Sequence, residues 1–181
     1  MNIFDRSAVS QVRVARPTDR LDEIETFYRE VIGLPRITSW RDGIDGNHAG
    51  YDGLILGMPD GRYHLEFTHY RDGSPCPAPS RDNLLVFYLP DVTDLNRVVA
   101  RMTAHGHDEV EPENPWWRPD GGTGHTFEDP DGWRVVFMHG HGVGPASASD
   151  PPADDQLHGI TRSGIIQDKV DAPMVAPGNH G

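Results

Sequence analysis

The chain has 181 residues, a net charge of −12, 36% hydrophobic residues and one cysteine. That length allows one or two domains with a real core, and the acid excess leaves no basic stripe to neutralise phosphates, which excludes nucleic acid and anionic membrane surfaces as partners. With Cys76 alone no intrachain disulfide exists; no window approaches 18 apolar residues, and the start MNIFDRSAVS has no long apolar run, so a cytoplasmic protein is predicted.

Residues 1–10 read as an N-terminal extension. VRVA at 12–15 is a short strand, followed by a Pro-Thr-Asp start signal and a helix whose apolar face is Leu21, Ile24, Phe27, Tyr28, Val31 and Ile32, stopped by Gly33. Strands are predicted near 35–41, 50–57 and 62–69, the last two joined by Pro59-Asp60-Gly61, where Pro presets φ and Gly supplies the positive φ of a closing hairpin. The first module, 11–70, is therefore βαβββ. A polar linker spans 71–82, and the second module occupies 83–139. LLVFYLP at 84–90 is a strand, and Asp91 caps a helix carrying Val92, Leu95, Val98, Val99 and Met102 that Gly106 ends. GGTGHTFE at 121–128 parallels GYDGLILG at 50–57, and Pro130-Asp131-Gly132 repeats the first turn after 71 positions, so the chain reads as a tandem duplication. Residues 140–181, rich in Gly, Pro, Ala, Ser and Asp and lacking aromatics, read as a disordered tail.

Alternation along the strands gives each sheet two faces. Val12, Val14, Tyr63, Leu65, Phe67, Leu85, Phe87, Leu89, Trp133, Val135 and Phe137 form an apolar set expected to meet the helices. Arg13, Ala15, His64, Glu66, Thr68, Leu84, Val86, Tyr88, Arg134, Val136 and Met138 form a mixed set on the other face.

Two βαβββ modules, Phe27-Tyr28 in the first helix, Gly33-Leu34 after it and Asp129-Pro130-Asp131-Gly132 before the last strand resemble the vicinal oxygen chelate superfamily of glyoxalase I, bleomycin-resistance proteins and extradiol dioxygenases. The resemblance covers roughly residues 11–139. It implies an α+β fold in which eight strands form a cupped mixed sheet with helices outside, and it implies a homodimer. In metal-using members four inward side chains hold a divalent ion. The matching positions here are Arg13, Glu66, Leu84 and Val136, with Asn83 for Leu84 if that strand slips by one. Only Glu66 has donor chemistry, and a guanidinium repels a cation. A direct Arg13–Glu66 ion pair within about 4 Å is predicted in the metal's place.

This makes the first reading a metal-free, cofactor-free protein that holds a small organic molecule in the cup through Arg13, His64, Glu66, Tyr88 and Arg134, with Trp116 and Trp117 as a lid. Two arginines against one glutamate favour an anionic or zwitterionic ligand. The alternative is a lyase, isomerase or dioxygenase using His64 and Glu66 as an acid–base pair, or a metal site rebuilt from Glu66, His64 and His125. An interaction module using the edge strands and tail is a third reading. The bland readings are a wetted polar sheet face for His64 and Glu66, and tryptophans that pack on a helix or seal a dimer contact.

Overall fold

The computed structural model is described here over residues 10–58, 63–118 and 124–142. The Pro59-Asp60-Gly61 turn, Gly121 and the 143–181 part of the tail lie outside the described residues.

The first module gives β1 (Val12–Pro17), β2 (Arg36–Trp40), β3 (Tyr51–Gly57) and β4 (Tyr63–Tyr70), ordered β1-β4-β3-β2, with β1 parallel to β4 and the other pairs antiparallel. The second gives β5 (Leu84–Leu89), β6 (Gly124–Glu128) and β7 (Arg134–His139), ordered β5-β7-β6, with β5 parallel to β7. Among the described residues there are thus seven strands in two sheets rather than one cupped sheet of eight. The missing partner belongs at 108–113. There Val110 N–H makes one bond to Thr126 O at 2.9 Å, and the chain then reaches Pro112 and Pro115, which have no N–H to extend a ladder.

The first helix begins as α1 (Leu21–Glu25) and continues as a π-helix over Thr26–Ile32. The widening is visible at its end, where the N–H groups of Gly33 and Leu34 both donate to Tyr28 O, at 3.2 and 2.9 Å. Gly33 takes φ 98°, as its stop role requires. At the start, Thr18 Oγ1 accepts from Arg20 N–H at 2.9 Å, whereas Asp19 turns away to accept from Ser74 N–H. The second helix, α2 (Val92–Ala104), is capped by Asp91, whose carboxylate accepts from Thr93 N–H at 2.7 Å.

One core serves both modules. Ile24, Phe27, Tyr28 and Val31 meet Leu54, Leu56, Leu65 and Phe67 from the first sheet and Leu95, Met102, Phe127, Val135 and Phe137 from the second module. Val12 and Val14 do not join it. They are 53% and 58% exposed, because β1 is an edge strand whose outer half the helices do not cover. At the helix junction the His107 ring stands edge-on to Phe27, centroids 4.9 Å apart. Burial, then the nearby His105, holds the His107 imidazole below its ordinary value. Its folded pKa is depressed, so its contribution is present above the unfolded value near 6.5 and is lost as pH falls through the folded one. Melting temperature is expected to drop as pH is lowered from about 6.5, and His107→Leu to flatten that part of the profile.

Candidate functional site

The parallel register of β1 on β4 sets Arg13 opposite His64 and Ala15 opposite Glu66, so all four share one face. From there Arg13 Nη1 donates to Glu66 Oε2 at 3.1 Å, which is the predicted pair. Its setting is more open than a buried cup, since the Arg13 side chain is 45% exposed and that of Glu66 17%. Arg13→Ala is therefore expected to cost only about 0.2–1 kcal/mol in denaturant unfolding, with no added penalty for a stranded charge.

His64 is buried at 6% exposure, and its Nδ1 has no hydrogen-bond partner. It lies beside Gly57, where a Cβ would come within 2.6 Å of the ring. The same face holds a residue that sequence reasoning missed. Trp40, at the end of β2, pairs with Gly53 and lays its indole over that glycine, with ring atoms as close as 1.9 Å to where a Cβ would stand. The available signal was a glycine inside a strand, which marks close approach of another group.

The second module's mixed face is arranged differently. Thr126, Arg134, Val136 and Met138 are all buried. The segment 109–118 lies across them: Arg134 Nη1 donates to Glu111 O at 2.7 Å, Thr126 Oγ1 to Trp117 O at 3.3 Å, and Trp117 backbone abuts Gly124. Val136, at 0% exposure, points at no open space, so the four positions inherited from metal-using members do not form a donor set. The residual metal trio is not brought together either. His64 lies on β4 of the first sheet and His125 on β6 of the second, where its Nδ1 sits 3.0 Å from Glu109 Oε1. Among the described residues no three His, Cys, Asp or Glu side chains gather as a metal-holding group.

Glu66, Leu84 and Arg134 do converge, on a cleft of about 250 Å³ between β1/β4 and β5/β7. Arg13, His64, Tyr88, Trp116 and Trp117 do not border it. Tyr88 is 41% exposed with its ring against Gly142, and Trp116 is 48% exposed in the 3₁₀ turn Pro115–Trp117. Trp117 faces a separate hollow of about 190 Å³ with Val110, Pro112, Arg118 and Thr126, so the tryptophans do not cover the Glu66 cleft.

Behind the cleft stands a second unforeseen group. Asp129 Oδ2 accepts from Arg16 Nη2 at 2.5 Å and Tyr28 OH at 2.9 Å, while its Oδ1 accepts from the N–H groups of Asp131 and Trp133, both at 2.9 Å. The Arg16 guanidinium stacks on Phe67 and Trp133, 5.1 and 4.8 Å from their centroids. Burial, and then the Asp129 charge, pushes the Tyr28 phenol well up, so it stays a donor. Burial also raises the Asp131 carboxyl, against the pull of Thr18 and Arg16.

Two βαβ-based modules, each with its first strand parallel to its last, define the vicinal oxygen chelate class, the superfamily of glyoxalases and of bleomycin- and fosfomycin-resistance proteins. Within it the chain belongs to the YycE-like family, matching the YycE-like N-terminal domain over residues 12–68 and the YycE-like C-terminal domain over 82–139. It is 47% identical over 140 residues to YycE of Bacillus subtilis (strain 168), covering 77% of this chain and 95% of that protein. A crystal structure of a Bacillus subtilis YycE protein of unknown function superposes with a TM-score of 0.68 at 46% identity, over 76% of this chain and 94% of that one. The trypanothione-dependent glyoxalase I of Leishmania major shares the fold at 20% identity and a TM-score of 0.54, over 71% and 85%. TnmS3, an antibiotic binding protein from Streptomyces sp. CB03234, does so at 20% and 0.50, over 74% and 98%. No helix among the described residues is long and apolar enough to cross a membrane.

Proposed function

We propose that this chain binds a small organic molecule and does so without a metal ion. The observation that carries the reading is the Arg13–Glu66 pair at 3.1 Å, two residues that the family resemblance matches to metal-ligand positions and of which one is a guanidinium. Arg13, Glu66 and His64 then share one face with a cation, a carboxylate and an imidazole, a set suited to a polar ligand. TnmS3, which shares the fold, is an antibiotic binding protein, and that agrees with a binding role. His64, buried with a free Nδ1 two residues from Glu66, supports a second reading as an acid–base enzyme of the lyase or isomerase type.

Elemental analysis and a thermal-shift screen test the proposal. The protein purified without a histidine tag is expected to carry no stoichiometric divalent metal, and zinc, nickel or iron to leave its melting temperature unchanged. A true ligand at a hundred times its dissociation constant should add about 2.7 kcal/mol. One metal per chain, lost in the double variant Glu66→Gln and His64→Ala, would overturn the metal-free reading and favour the enzyme.

A further inference from the structure

The seam between the two sheets has a property that the Arg13 face does not explain. β1 and β5 are both edge strands with no ladder between them, and residues of both border the cleft of about 250 Å³. Its walls are mainly apolar, including Val14, Leu65, Phe67, Leu84 and Trp133. Val14 keeps 58% of its surface in water beside this opening.

The charged groups at the cleft are unequal. Arg16 is engaged by Asp129 and Asp131, and Arg134 by Glu111 O and Glu128. Glu66 is engaged by Arg13. Arg13 does not itself line the cleft but bonds Glu66, which does; it is nearly half exposed, and a guanidinium has five N–H donors of which that bond uses one. A cationic head at Glu66 would stand beside the Arg13 guanidinium and be repelled by it. A carboxylate can add to Arg13 without breaking the existing pair.

Resting on the binding reading above, we propose that the ligand is a small aromatic or alicyclic carboxylate of single-ring size, its ring in the cleft and its carboxylate on Arg13. The volume sets the size, because about 250 Å³ falls below the roughly 300–1,000 Å³ that enclose drug-sized ligands.

Titration calorimetry on the full chain with benzoate, benzyl alcohol and benzylamine tests this. Benzoate should bind about tenfold more tightly than benzyl alcohol, with benzylamine weakest. Arg13→Gln should erase the benzoate preference and leave benzyl alcohol unchanged. Val14→Trp, at an exposed edge position that tolerates a large side chain, should abolish binding of benzoate and benzyl alcohol by filling the cleft. Equal affinities for the three probes, or benzoate binding that Val14→Trp does not touch, would overturn the inference. Binding only of multi-ring compounds would overturn it while leaving the binding-protein reading in place, and binding of no compound of either size would overturn both.

Discussion

Asp129→Ala is expected to lower stability by about 3–5 kcal/mol, a fall in melting temperature on the order of 10 °C. The Asp129 side chain is fully buried, and its four donors come from β1, the first helix and its own turn. Alanine would leave Arg16, 12% exposed and wedged between Phe67 and Trp133, facing only Asp131 at 3.5 Å. It would also strand the buried Tyr28 hydroxyl and two turn N–H groups, each a desolvation cost with no return. Because Arg16 and Tyr28 belong to the first module and Asp129 to the second, the lost energy is largely that of joining the modules. Combining Asp129→Ala with Arg16→Met should cost less than the sum of the single changes, since the uncompensated charge is then gone. Urea unfolding of the four proteins decides it, and a loss below about 1 kcal/mol for Asp129→Ala would remove the group from this role.

Sequence pattern carried the helices and the order of strands because periodicity follows directly from which face is buried. The Arg13–Glu66 pair came instead from the family resemblance, which put both residues at converging positions, and the parallel β1/β4 register sets them on one face. The Asp129 group was not readable in the same way. Pro130-Asp131-Gly132 announces a turn, and Gly132 does take φ 81°, but nothing local says that the preceding carboxylate will collect an arginine 113 residues away. Arg16 lies just past the strand predicted at 12–15, and tertiary packing makes it a buried, stacked cation. The missing eighth strand and the position of Trp117 have one cause. The duplication argued for a repeat of β2, but Pro112 and Pro115 turn that stretch into a segment that lies over the second sheet and carries Trp117 with it. Trp40 was hidden because its signal sat in another strand, at Gly53.

Arg101 is the second joint between the modules, and Arg101→Met is expected to cost about 1.5–3 kcal/mol, the range for hydrogen bonds to charged groups. From α2 its Nε donates to Val31 O at 2.6 Å, supplying a cationic donor to the carbonyl end of the first helix, where the π-helical turn leaves acceptors open. The guanidinium also closes over Gly33, with Nη2 2.8 Å from where a Cβ would stand. Gly33→Ala should therefore be penalised twice, by about 1–2 kcal/mol for an L-residue held at φ 98° and again by pushing Arg101 off the carbonyl. The two losses share one hydrogen bond, so they cannot add. In the double variant the methionine side chain can yield to the new methyl group, leaving mainly the backbone strain on top of the Arg101 loss. Denaturant unfolding of the four proteins should show the double variant at least about 0.5 kcal/mol more stable than additivity allows. Simple additivity would mean that Arg101 and Gly33 act independently and that the α2 contact to the first helix is packing alone.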